Sequence, residues 1–127
     1  MKSILIHIGR ILLAIYFLLP GIAKFTSWNM HMALMETHNM IMIPALLATA
    51  GAIQIIGSIC LILNKKVVEC ALLLAGLVLL INFNLHDFWN IYEVVDVKHE
   101  TQNFYKNMVI FAVLLLLAAV NIEDNDP

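Results

Sequence analysis

The stretch IMIPALLATAGAIQIIGSICLIL, residues 41–63, decides the fold. It contains no charged residue, and it is long enough to cross a hydrocarbon core of about 30 Å as a helix. Apolar and polar residues do not alternate in it as they do in a half-buried strand. Within lipid, only a helix or a closed barrel pairs all of its backbone polar groups, so the stretch predicts a transmembrane helix.

Three further apolar segments, residues 4–24, 67–88 and 104–121, have a similar length and follow one another through short connections. Hydrophobic residues make up 62 % of the 127-residue chain and charged residues 13 %. A soluble domain has about 45–50 % apolar and about 25 % charged residues. A chain this short has too little interior to bury so much apolar surface. The sequence therefore predicts an all-α integral membrane four-helix bundle, with residues 1–127 as a single membrane domain.

Charge and cysteine content restrict the classes of partner and cofactor. The net charge is −2 and there is no basic or acidic block, so the lipid bilayer and not nucleic acid is the expected partner. Cys60 and Cys70 form neither a CxxC motif nor a disulfide framework, and we interpret them as small apolar residues of the core rather than a redox pair. No motif for haem, flavin or an iron–sulfur cluster is present, so the sequence itself names no cofactor.

The distribution of lysine and arginine gives the orientation. An even number of spans places both termini and the short turn at residues 64–66 on one side of the membrane. That side carries Lys2, Arg10, Lys65 and Lys66, and the other side carries Lys24, Lys98 and Lys106. The slight excess of positive charge predicts cytoplasmic termini.

The first apolar segment also has an alternative interpretation as a cleaved signal peptide. MKSILIHIGR would be its charged region, and the small residues of PGIA would precede a cleavage site before Lys24. A retained helix is the favoured interpretation, and the intact mass of the protein decides between the two.

Helical spacing sorts the polar residues of the spans onto shared faces. In the first span, one stripe carries Arg10, Ala14, Phe17, Gly21 and Lys24. Polar residues of the spans then converge toward the outer end of the bundle, where we predict a small polar chamber that opens outward. The candidate binding residues are Arg10 on the inner side, Gln54 at mid-depth, and Asn82, His86, Asp87 and Asn107 near the outer end; the candidate catalytic residues are His86, Lys24 and Lys106.

Each of these residues also has a purely structural interpretation. Asn82 and Gln54 are suited to hydrogen-bond neighbouring helices, at about 0.6 kcal/mol each. Arg10 either extends its guanidinium group to the membrane surface or pairs inside the bundle. His86 either relays a proton and binds a quinone carbonyl or is a hydrogen-bonded interfacial histidine. Asp87 is placed to pair with a lysine of the fourth span.

The segment NMHMALMETHNMIMIP, residues 29–44, is rich in methionine and histidine. His31, Met35 and His38 lie at i, i+4 and i+7 on a helix, and their side chains are suitable ligands of Cu(I). However, His31 and His38 are about 10.5 Å apart along the helix axis, so both would have to fold toward Met35 to share one ion. We favour a short Met-rich interfacial helix between the first two spans over a copper site.

Several stretches resemble the DoxX family of small four-helix bacterial inner-membrane proteins. GRILLAIYFLLPGIAKF is similar to the opening helix of that family, whose arginine, glycine and lysine fall on Arg10, Gly21 and Lys24. METHNMIMIPALLATAGAIQIIGSICLIL looks like its short surface segment and second helix, and HDFW and NFYKNMVIFAVLLLLA resemble the end of the third helix and the start of the fourth. The resemblance covers nearly the whole chain.

The resemblance implies a multi-pass protein of the bacterial inner (plasma) membrane. Because the namesake subunits of the family belong to a thiosulfate:quinone oxidoreductase, we expect a subunit or docking partner of a quinone-linked, thiosulfate- or thiol-type oxidoreductase system. Such a role requires a membrane or soluble redox partner protein. A non-enzymatic membrane scaffold or assembly factor is the alternative, and the sequence leaves open whether the chain forms a homo-oligomer. The family commonly carries a glutamate where Gln54 stands, and an amide does not titrate.

Overall fold

The computed structural model describes residues 1–85 and 97–125, and within these its regular structure is entirely helical. The helices are α1 (Lys2–Thr26), α2 (Trp28–Thr37), α3 (Ile43–Ile62), α4 (Val67–Leu85) and α5 (Val97–Asn125). Four segments are long and apolar enough to cross a membrane: Lys2–Thr26, Ile43–Ile62, Val67–Asn84 and Thr101–Ile122. The predicted four-helix membrane bundle is confirmed. Residues 86–88 of the predicted third span lie outside the described part of the chain.

The two ends of the bundle hold different parts of the chain. The hairpin end holds the start of α1, the end of α5 and the turn between α3 and α4. The α2 end holds the end of α1, the short helix α2, and the start of α3 and of α5. The predicted Met-rich helix between the first two spans is therefore present, as α2.

Local sequence sets where α3 begins and where it turns back into α4. Pro44 lies in the first turn of α3, where backbone N–H groups have no partner within the helix, so the missing N–H of proline costs no hydrogen bond. In the turn between the two helices, Asn64 and Lys66 adopt φ angles of 60° and 50°. The backbone N–H of Lys65 closes this turn on the Cys60 carbonyl oxygen at 2.9 Å. The turn thus sets α3 and α4 antiparallel and side by side.

Each span buries one face and exposes the others. The buried residues of α1 are Arg10, Ala14, Phe17 and Gly21, four of the five residues of the predicted stripe, and the fifth, Lys24, is half-buried. Ala14 and Phe17 pack in the main core with buried side chains of α3, α4 and α5, which include Leu61, Ala71, Leu74, Ala75, Val78, Leu114 and Ala118. Large apolar side chains such as Leu12, Leu80 and Leu116 are exposed on the outside of the bundle, as expected of a surface that contacts lipid tails.

Close contact between α1 and α3 determines where the functional site lies. A Cβ atom added to Gly21 would lie 2.9 Å from Cβ of Gln54 and 3.3 Å from the backbone nitrogen of Ile55. Only glycine permits so close an approach of the two helices. One turn further along, the Phe25 ring occupies the space over Gly51, where an added Cβ would lie 2.6 Å from its Cε2 atom. These contacts hold the second half of α1 against the middle of α3.

Candidate functional site

A cavity of about 230 Å³, the polar cavity, lies toward the α2 end of the bundle between α1, α3, α4 and α5. Its polar lining residues are Tyr16, Lys24, Gln54, Asn103, Lys106 and Asn107. None of the described residues that line it carries a carboxylate. The lining therefore combines two cations with amide and hydroxyl groups, a set that suits a ligand rich in hydrogen-bond acceptors.

Gln54 lies in the wall of the polar cavity and has one half of its amide unpaired. Its side chain is only 4 % exposed. Nε2 donates a hydrogen bond to the backbone oxygen of Phe17 at 3.2 Å, which joins α3 to α1 close to Pro20. Oε1 has no hydrogen-bond partner among the described residues. A buried acceptor left unpaired in this way is costly, so it favours a ligand or water that donates to it.

The two lysines of the polar cavity differ in their contacts. Lys24 lies in the last turn of α1 and is half-buried. Within the described residues, no hydrogen bond or ion pair reaches its ammonium group. Lys106 places its Nζ atom 5.9 Å from the centroid of the Tyr16 ring, a cation–π contact between α5 and α1. Lys24 therefore keeps its full capacity to donate hydrogen bonds to a ligand.

A chain of amide and hydroxyl groups closes one side of the polar cavity. Asn82 is fully buried and donates from Nδ2 to the Phe104 backbone oxygen at 3.0 Å. Its Oδ1 atom accepts a hydrogen bond from Nδ2 of Asn107 at 3.3 Å. Asn107 in turn accepts from the Tyr16 hydroxyl group at 3.5 Å. Asn82 therefore joins α4 to α5 with both halves of its amide, which supports its structural interpretation.

The predicted candidate residues separate into three groups. Lys24, Gln54, Lys106 and Asn107 line the polar cavity together, and Asn82 is hydrogen-bonded to one of them. Arg10 lies toward the opposite end of the bundle. His86 and Asp87 lie outside the described residues.

The candidate set did not include Tyr16, Pro20 or Asn103, which also line the polar cavity. A signal for two of them exists in the sequence, because Tyr16, Pro20 and Lys24 follow one another at four-residue spacing on one face of α1. Asn103 likewise lies four residues before Asn107 on α5.

Arg10 makes its contacts inside the bundle at the hairpin end. The residue is 6 % exposed, and its Nε atom donates to the Leu61 backbone oxygen at 2.7 Å. Its Nη1 atom donates to Nδ1 of His7, also at 2.7 Å. Because Leu61 is in the last turn of α3, the guanidinium group meets the negative end of that helix. Of the two interpretations of Arg10, the structure supports pairing inside the bundle.

A second cavity of about 350 Å³, the apolar cavity, lies beside the polar cavity, beneath α2 and between α3 and α4. Aliphatic and thioether side chains make up most of its lining, among them Leu34, Met35, Leu47 and Leu77. Lys24 and Ile81 line both cavities. The two cavities therefore adjoin at the side chains of Lys24 and Ile81.

His31, Met35 and His38, the candidate copper ligands, make contacts within α2 and between α2 and α3. Nδ1 of His31 bonds to the Ser27 backbone oxygen at 2.9 Å, and Nδ1 of His38 to the Leu34 backbone oxygen at 3.0 Å. Met35 is 6 % exposed and packs against Ile43 and Leu47 on α3. These contacts support the interpretation of α2 as a Met-rich interfacial helix.

The two cysteines come together across the turn between α3 and α4. Cys60 and Cys70 are both half-buried, and their thiol groups lie close enough to each other to interact. Cys70 also packs against the main core. The expected core position is thus observed for Cys70, and the proximity of the two thiol groups was not predicted.

These features define a small helical membrane protein with a cationic, amide-lined cavity and an adjoining apolar one. The sequence model of the DoxX family matches residues 5–87, which cover most of α1 and all of α2, α3 and α4. The chain is a member of the DoxX family. No curated protein and no solved structure matches it significantly.

Proposed function

We propose that this DoxX-family protein binds a quinone in the polar cavity and acts as a subunit or docking partner of a quinone-linked membrane oxidoreductase for thiosulfate or thiols. The main support is that one cavity offers both the ammonium group of Lys24 and the Oε1 atom of Gln54, neither of which has a hydrogen-bond partner among the described residues. A quinone oxygen accepts a hydrogen bond, and a quinol hydroxyl group donates one. A ligand that alternates between these two forms can use both groups.

The residues then have distinct roles toward this ligand. Lys24 and Lys106 donate hydrogen bonds to a quinone oxygen and stabilise negative charge that develops on it during reduction. Gln54 accepts from the quinol hydroxyl group and holds the ring in place. Because an amide does not titrate, Gln54 transfers no proton, unlike the glutamate that is common at this position in the family.

The electrons must reach the quinone from outside this chain. Two thiol or thiosulfate groups each lose one electron and join through a new sulfur–sulfur bond. The quinone takes up these two electrons and two protons and becomes a quinol. A soluble or membrane redox partner that binds the sulfur compound completes this system.

The location that we propose is the bacterial inner membrane, with both termini in the cytoplasm. The hairpin end then faces the cytoplasm with Lys65 and Lys66 exposed. The polar cavity lies toward the periplasmic side in this orientation.

A non-enzymatic scaffold or assembly factor is the second candidate. It is favoured by the fully paired amide of Asn82 and by the bond from Gln54 to the Phe17 backbone, since both residues hold helices together. In that case, the polar residues of the bundle have no ligand.

Quinone binding by the purified protein in lipid nanodiscs tests the proposal. Isothermal titration with a ubiquinone that carries one isoprene unit should show saturable binding. Replacing Lys24 with Met should weaken it by about tenfold, the effect of losing one hydrogen bond from a charged group. Lys65→Met, in the turn at the hairpin end, is the matched control and should bind like the wild type.

The same preparation separates the two candidate functions. Saturable quinone binding that depends on Lys24 supports the oxidoreductase role, and co-purification in mild detergent should then retain a redox protein. Absence of binding to the wild type, or equal binding by Lys24→Met, contradicts the quinone site and favours the scaffold.

A further inference from the structure

We infer that the apolar cavity holds the isoprenoid tail of the quinone whose ring lies in the polar cavity. This inference rests on the proposed function and deepens it, because it assigns the site to long-chain prenyl quinones rather than to small water-soluble quinones. Lys24 lies at the junction between ring and tail.

The geometry of the two cavities supports one continuous ligand. Lys24 and Ile81 belong to the lining of both, so the two cavities adjoin at these side chains with no helix between them. The polar cavity, at about 230 Å³, is smaller than the range of about 300–1,000 Å³ that is usual for ligand pockets. It has room for a quinone ring but not for a long substituent. The apolar cavity, at about 350 Å³, supplies the space for one.

The chemistry of the apolar cavity suits an aliphatic chain. Its polar lining residues other than Lys24 bond to carbonyl oxygens of their own helices: Nδ1 of His31 to Ser27, and Nδ2 of Asn84 to Leu80 at 2.7 Å. The methionines of its lining, Met35 and Met40, have flexible side chains that adapt to irregular shapes. A hydrocarbon tail therefore leaves the polar groups of this wall in the contacts that they already make.

Continuity at Lys24 also distinguishes the quinone tail from the acyl chain of a bulk lipid. A lipid chain in the apolar cavity would be independent of the ligand in the polar cavity. A quinone tail would be covalently joined to the ring there. Filling the apolar cavity should then weaken binding of a tailed quinone and leave binding of the bare ring unchanged.

The test compares two ligands and three variants in lipid nanodiscs. The ligands are a dimethoxy-methyl-benzoquinone without a tail and the same ring with four isoprene units. Ala50→Phe and Leu77→Trp place bulk in the apolar cavity from α3 and α4, and both half-buried residues line that cavity but not the polar one. Thr49→Phe is the control, since Thr49 is an exposed neighbour of Ala50 that lines neither cavity. Comparison with the wild type cancels the partitioning of each ligand into the lipid.

We expect both cavity-filling variants to lose at least about tenfold in affinity for the tailed quinone, with less than about twofold change for the bare ring. Circular dichroism measures whether each variant is folded. Because the two substitutions lie on different helices, one variant still tests the inference if the other does not fold. Equal affinity of filled and wild-type protein for the tailed quinone overturns the inference, as does an equal loss for both ligands. If the bare ring binds to the wild type in those cases, the proposed function stands. If neither ligand binds to the wild type, both proposals are wrong.

Discussion

The two ends of the bundle treat buried polar groups in opposite ways. At the hairpin end, the guanidinium group of Arg10 has two partners, the Leu61 carbonyl oxygen and the His7 ring. At the α2 end, the ammonium group of Lys24 has no such partner among the described residues, and Oε1 of Gln54 is unpaired as well. Polar residues inside membrane spans are expensive and usually functional. The difference shows that the available partners, and not the residue type, separate a structural polar group from a candidate ligand site.

The largest expected effect concerns the close contact between α1 and α3 at Gly21, beside the polar cavity. Gly21→Leu should lower the free energy of unfolding by about 3 kcal/mol, because the new side chain forces α1 away from α3. Denaturation by sodium dodecyl sulfate in mixed micelles measures this loss. The polar cavity should be distorted with it, so quinone binding should fall in the same variant.

Gly9→Leu is the matched control for this substitution. A Cβ atom at Gly9 would meet nothing within 4 Å, although it neighbours Arg10 at the hairpin end of the same helix. Its stability should stay within about 0.5 kcal/mol of the wild type, as is usual for exposed sites. Similar losses for the two variants would show that α1 does not depend on close packing at the α2 end alone.

The next effect compares Arg10, a buried cation at the hairpin end, with Lys24, a half-buried cation at the α2 end. Arg10→Lys removes the planar group that bonds to both Leu61 and His7, and it should lower the free energy of unfolding by about 1.5 kcal/mol. Lys24→Met should change it by less than about 0.5 kcal/mol, because no hydrogen bond is lost. Thermal unfolding in detergent without added quinone measures both. A loss for Lys24→Met as large as that for Arg10→Lys would remove the contrast between the two ends.

The smallest expected effect tests whether Asn82 belongs to the binding surface of the polar cavity. A double-mutant cycle of Asn82→Ala and Asn107→Ala should give a coupling energy of about 0.6 kcal/mol, the usual value for a hydrogen bond between membrane helices. Asn82→Ala alone should leave quinone affinity nearly unchanged, because Asn82 uses both halves of its amide between α4 and α5. A large loss of affinity would instead extend the binding surface to Asn82.

The buried face of α1 was predictable from sequence because the helical period alone determines which residues share a face. Arg10, Ala14, Phe17 and Gly21 follow this period and are buried together. The convergence of Lys24, Gln54 and Asn107 was predictable for the same reason, once the topology of four antiparallel spans was known.

The partners of these residues were not predictable in the same way. Arg10 bonds to a backbone carbonyl group, which every residue carries, so the sequence around Leu61 holds no sign of the contact. The apolar cavity depends on how α2 lies over α3 and α4, which residue periodicity does not determine. By contrast, the contact of Cys60 with Cys70 had a usable signal, since both lie five residues from Lys65 in the turn.

The bond between Arg10 and Leu61 also has a consequence for the synthesis of the protein. The two residues are 51 positions apart, so Arg10 is synthesised before its partner on α3 exists. An arginine at the centre of a membrane helix costs roughly 2.5–3.5 kcal/mol on the insertion scale, and α1 alone can offset this cost through the His7 ring and by extending the side chain to the surface. Synthesis of α3 then supplies the Leu61 carbonyl oxygen as the second partner. A chain interrupted before α3 therefore keeps a guanidinium group in its first helix that lacks this partner.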